Sequence, residues 1–94
     1  MPFFIVQHKH ETNNCPVRNP ELAQMLLKHL ASAKDYKIEI RSEGVVDGSH
    51  RLFLFVESDG RENVENFMKP FAQLGEVEIL NASPCETVVE RGGC

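Results

Sequence analysis

Two segments of this chain, Phe3-Phe4-Ile5-Val6 and Leu52-Phe53-Leu54-Phe55-Val56, are apolar at every position. Successive side chains of a β-strand point to opposite faces of its sheet, so such segments are apolar on both faces and suit the middle of a sheet. Two other segments alternate. Over residues 36–42, Tyr36, Ile38 and Ile40 oppose Lys37, Glu39 and Arg41, and over residues 76–80 Val77 and Ile79 point one way. These predict strands with a single buried face.

Helical signals fall between them. Asn19-Pro20-Glu21 supplies an N-cap, a proline at the first helical position and an acid for the helix dipole. Leu22, Met25, Leu26, His29, Leu30 and Ala33 follow at helical spacing and predict an amphipathic helix to about Lys34. Ser58-Asp59-Gly60 opens a second helix with Val64, Phe67, Met68, Phe71 and Leu74 as its buried stripe. Pro70 lies inside that stripe and is expected to kink the helix or tighten its last turn, with Gly75 as the C-cap. Asp47-Gly48 marks a turn between Val45-Val46 and the strand over residues 52–57.

With a first strand over residues 3–10, the order is β-α-β-β-α-β, the ferredoxin-like split βαβ pattern of the α+β class. A single domain spans 1–94, with residues 81–94 as a C-terminal tail. In that fold a four-stranded antiparallel sheet has the order 4-1-3-2, which puts the two wholly apolar strands in the centre. Two helices cover only one face. The other, carrying either Phe53 and Phe55 or Leu52, Leu54 and Val56, stays exposed in a monomer, and a patch of that size calls for a partner. A homodimer joined sheet to sheet, as a dimeric α+β barrel, is the economical expectation.

Charge and composition narrow the function. The net charge of −4, with Lys and Arg scattered singly, leaves no basic stripe for nucleic acid. No apolar run approaches the roughly 20 residues of a membrane span, and the short apolar opening, without a basic flank, is not expected to be a signal peptide. Three widely spaced cysteines do not make a disulfide framework and suit a reducing cytoplasm.

The run His8-Lys9-His10-Glu11-Thr12-Asn13-Asn14-Cys15 carries the chemistry. Residues i and i+2 of a strand share a face roughly 6.7 Å apart, so His8 and His10 stand side by side. Imidazole nitrogens bind zinc, nickel or copper, and Cys15 adds a soft thiolate. Strand direction locates further ligands. The end of strand one, the loop holding Cys15 and the turn holding His50 all fall at one end of the sheet, here called the top. Cys85 emerges at the bottom. Cys94, after Gly92-Gly93, can return to the top because nine extended residues span roughly 30 Å, with residues 87–90 as an added edge strand or pairing with the partner. The expected ligands are therefore His8, His10, Cys15 and Cys94, with His50 in reserve. Glu11 and Asn13 or Asn14 are available to orient an imidazole through its other nitrogen.

The opening Phe3-Phe4-Ile5-Val6-Gln7-His8-Lys9-His10, followed by Cys15-Pro16, resembles small ferredoxin-like proteins of the dimeric α+β barrel superfamily, among them uncharacterised families and a nickel-binding one. The resemblance implies a dimer and a transition metal and transfers no catalytic activity. Other members are monooxygenases or haem-handling enzymes, and no residues here match theirs. Plainer readings stand beside these. His29 lies on the first helix's apolar stripe as a core residue, Cys85 is structural, and a lone cysteine such as Cys15 is commonly a small buried hydrophobe.

The expected function is transition-metal storage, buffering or sensing by a cytoplasmic homodimer, without turnover. Two alternatives remain. One is a small monooxygenase-like enzyme acting in the cleft between helices and sheet, although the chain has no Ser-His-Asp arrangement, phosphate loop or HExxH. The other is a thiol or sulfur carrier using Cys94, where thiolate access governs exchange.

Overall fold

The structure, a computed structural model, describes residues 1–94 apart from the Asn14 side chain. Strands β1 (Phe3–Lys9), β2 (Ile38–Val46), β3 (Arg51–Ser58) and β4 (Glu76–Ala82) alternate with helices α1 (Pro20–Ala31), α2 (Arg61–Phe67) and α3 (Lys69–Ala72), and α4 (Cys85–Arg91) ends the chain. The sheet runs β2-β3-β1-β4 with every neighbouring pair antiparallel, which is the order 4-1-3-2 read from the other edge. The two wholly apolar strands are its centre. Helices pack on one face, as in a ferredoxin-like fold.

Burial alternates along the central strands and decides which residues face the helices. Phe4, Val6 and His8 of β1 and Leu54, Val56 and Ser58 of β3 are buried. Val64, Phe67, Met68 and Phe71 descend on them from α2 and α3, and Leu26 from α1. The open face therefore carries Phe3, Ile5, Phe53 and Phe55, with Leu80 paired beside Ile5 on β4. Phe3 stacks on Phe55 with ring centroids 6.4 Å apart.

Asn19 caps α1, its side chain accepting from the Leu22 N–H at 3.2 Å. The helix stops at Ala31, short of Lys34, because the Ser32 hydroxyl and backbone N–H both close on the His29 carbonyl. The stripe is Leu22, Leu26 and Leu30, and Met25, expected inward, lies 62% exposed. Tyr36 belongs to a 3₁₀ turn, Ala33–Tyr36, and the left-handed Lys37 (φ 61°) redirects the chain into β2. β2 consequently begins at Ile38 and takes in Val45-Val46, with a bulge at Arg41 that shifts its register against β3.

The second helix is broken rather than bent. Met68 ends α2, and Pro70 occupies the first turn of α3, where a missing N–H costs no hydrogen bond. The tail differs from expectation too. Residues 87–90 lie in α4, with no pairing to the sheet. Pro84 precedes the first turn, Glu86 offers an acid to it, and Gly92 (φ 77°) closes it in the left-handed conformation that glycine takes without steric cost. α4 buries none of its residues.

Candidate metal centre

β1 leaves the sheet at Lys9, which pairs with Arg51, and one further backbone hydrogen bond runs from the His10 N–H to the His50 carbonyl at 3.3 Å. The sheet ladder thus extends one step past its strands and sets His10 directly opposite His50. The turn over residues 47–50 contains two left-handed positions, Gly48 (φ 75°) and His50 (φ 54°). A side chain in that conformation costs on the order of 1–2 kcal/mol. Its consequence is that the His50 ring points back over β1. The two rings meet edge to face with centroids 5.1 Å apart, and His50 Nδ1 lies 3.2 Å from His10 Nε2.

Cys15 arrives from the other side. Short 3₁₀ turns, Thr12–Asn14 and Pro16–Arg18, fold the loop compactly, with Cys15 between them. The Cys15 N–H donates to Thr12 and the Cys15 carbonyl accepts from Arg18. Pro16 is buried and anchors the loop. One ligand atom each from His10, Cys15 and His50 lie within 4.8 Å of one another, all half-buried.

His8 stands behind this group. Only 2% of it is exposed, and its ring centroid is 5.4 Å from that of His10 and 5.4 Å from that of Phe71. Burial lowers the His8 pKa from its ordinary value, a Phe71 backbone hydrogen bond opposes the shift, and His10 adds to it. Burial and the neighbouring His50 lower the His10 pKa as well. Both rings therefore favour the neutral form, the one with a lone pair to give. Among the described residues, His8 Nε2 and His10 Nδ1 are buried with no hydrogen-bond partner.

The turn into β4 closes the other flank. A side chain at Gly75 would run into the Lys9 carbonyl and the His10 Cα, so only glycine lets this turn lie against the end of β1. This close approach, more than helix capping, is what position 75 requires. A groove of about 400 Å³ beside it is lined by Lys9, His10, Glu11, Gly75 and Glu76, among others.

Of the expected ligands, the structure brings His10 and Cys15 together and adds the reserve residue His50. His8 sits one ring further in, outside the three-residue group. Cys94 is exposed and follows α4, which starts beyond the bottom end of β4, where Ala82 pairs with Phe3. Cys85 is exposed at that same end. Glu11 and Asn13 are exposed, and neither partners His10 Nδ1. Asn14, the other residue expected to orient an imidazole, has its side chain outside the described residues. His29 is the core histidine expected, with Nε2 2.6 Å from the Phe67 carbonyl and its ring stacked on Phe67 at 4.6 Å.

The depth of His8 is not expected from its place beside His10 in the sequence. Its signal was the parity Phe4, Val6, His8, which puts the first histidine on the same face as two core residues.

No family model matches the chain, and no curated protein matches it. Among solved structures it is similar to SCO4226 from Streptomyces coelicolor A3(2), with 17% sequence identity and a TM-score of 0.56 over 87% of this chain and 99% of that one. At that identity the likeness is one of fold.

Proposed function

We propose that this chain binds a transition metal through His10, Cys15 and His50, and serves in metal storage, buffering or sensing. The observation that carries the reading is the convergence of two imidazoles and a thiol within 4.8 Å from three separate segments. Two nitrogens held at 2.0–2.1 Å on a tetrahedral ion lie about 3.3 Å apart, and His10 Nε2 and His50 Nδ1 are 3.2 Å apart. The ion would replace the hydrogen bond these two nitrogens share. A nitrogen, nitrogen, sulfur set suits zinc, nickel or copper, with water or an exogenous group in the remaining position. The groove beside His10 supplies room for such a group.

The reading includes a homodimer formed through the open sheet face. Phe3, Ile5, Phe53, Phe55 and Leu80 share that face, opposite the helices, with Leu80 exposed and the other four half-buried. Phe55→Glu is expected to give a monomer by sedimentation velocity. The reading also takes the protein to be cytoplasmic, which its three free cysteines support because thiols persist in a reducing compartment.

Cobalt titration tests the site. Co²⁺ should produce visible absorption of a tetrahedral ion together with a near-ultraviolet thiolate charge-transfer band, and Cys15→Ser should remove the latter. A featureless titration, or a thiolate band that survives Cys15→Ser, would overturn the assignment.

A further inference from the structure

We infer that His8 is a positioning residue for the metal centre: its Nε2 accepts a hydrogen bond from Nδ1–H of His10 and so holds His10 in the tautomer that presents Nε2 to the ion. This rests on the reading of His10, Cys15 and His50 as ligands and assigns His8 a place behind them. The starting point is a pair of orphans. His8 Nε2 and His10 Nδ1 are both buried, both without partners, and on adjacent rings. A buried nitrogen left unpaired is uncommon in a folded protein and asks for an explanation.

Geometry supplies one. With the ring centroids 5.4 Å apart and tilted by 33°, a nitrogen of each ring directed at the other would lie about 3 Å away, hydrogen-bond length. A neutral imidazole has one donor and one acceptor, so fixing either nitrogen fixes the other. A Phe71 backbone hydrogen bond acts on the His8 ring, and because Nε2 is without a partner that bond falls to Nδ1–H and leaves Nε2 as the acceptor. His10 must then donate from Nδ1, and its Nε2 lone pair faces His50 and the ion. The order is Phe71 carbonyl, His8, His10, metal. Histidines that bind metals nearly always donate their second N–H to an acceptor, and here that acceptor is another histidine. His8 cannot reach outward itself, since its ring is packed against Phe71 on the helix-covered side of the sheet.

The test compares wild type, His8→Gln and His8→Leu, each checked for an unchanged circular dichroism spectrum. Zinc affinity is measured by chelator competition, and ring tautomers are read by long-range ¹H–¹⁵N NMR of the zinc-loaded protein. Glutamine keeps an acceptor in place and leucine does not. His8→Leu should bind zinc 10–100-fold more weakly, with His8→Gln restoring most of the loss. Wild-type spectra should show His10 protonated at Nδ1 and His8 protonated at Nδ1. His8→Leu with wild-type affinity, or His8 Nε2 shifted as a direct zinc ligand, would overturn the inference while leaving the metal site standing, and His10 protonated at Nε2 would overturn it together with Nε2 as the ligand atom. Wild-type protein that takes up no zinc would overturn both readings. If both variants fail to fold, the wild-type tautomers alone decide.

Discussion

Two groups of rings lie on the helix-covered side of this molecule, and they treat histidine in opposite ways. In one, His29 is enclosed by Phe67, Tyr36 and Phe71, and its Nε2 is satisfied by the Phe67 carbonyl. In the other, His8, His10 and His50 gather at the top of the sheet with two ring nitrogens buried and unpaired. A hydrogen-bonded histidine stacked in aromatic surroundings is core. A buried ring nitrogen left unpaired costs about 1–3 kcal/mol, a cost that His8 and His10 relieve by pairing with each other behind the ligand atoms. The difference separates a residue that holds the fold from residues the fold holds ready.

Exchanging the two roles by mutation gives the largest expected effects. His10→Ala should weaken zinc binding by more than about 100-fold, beyond the 10–100-fold typical of an outer-shell partner, with little change in the urea midpoint of the metal-free protein. His29→Ala should do the reverse. It should lower metal-free stability by about 2–3 kcal/mol, through lost packing and an unpaired Phe67 carbonyl, and leave zinc affinity within about twofold of wild type. If both variants lose metal equally, the two groups are not distinct.

Gly75→Ala lies between these extremes because it touches both roles. The added methyl must displace the end of β1, which should cost about 1–3 kcal/mol and also weaken zinc binding by moving His10. A variant as stable as wild type would show that the turn yields freely.

How much of this was readable in advance follows from the range of each signal. The sheet order was legible because both-face apolarity is a property of β1 and β3 alone, and strand direction then put His10, Cys15 and His50 at one end. Two features depended on packing that no local pattern encodes. The bulge at Arg41 answers to the register of β3. The break at Met68 reflects how α2 and α3 fit the sheet. α4 formed where an edge strand was expected because Pro84, Glu86 and Gly92 outweigh the β-propensity of Val88-Val89. Cys94 reaches the top of the sheet only on an extended tail, and a helix shortens that reach to about 1.5 Å per residue.

A smaller effect is expected from pH. Both His8 and His10 have pKa values lowered below 6.5 by the fold. The unfolded chain then binds more protons than the folded one as pH falls past about 6.5, so metal-free stability drops there and levels off below the lowered folded-state values. Above that pH both states are neutral at these residues and the contribution is constant. Urea midpoints at a series of pH values should show the slope in wild type and a reduced one in His8→Leu. An unchanged slope would exclude these rings as its source.

The smallest effect separates strain from function. His50→Gly should relieve the left-handed backbone and raise metal-free stability by about 0.5–1 kcal/mol, although it removes a ligand. A destabilised His50→Gly would mean that the His50 ring supports the fold more than its backbone strains it.

The central claim is tested most directly by elemental analysis of untagged protein after equilibration with zinc, comparing wild type with His10→Ala/His50→Ala. About one zinc per chain in wild type and none in the double variant is the predicted result. Equal zinc in both, or none in either, would contradict the account.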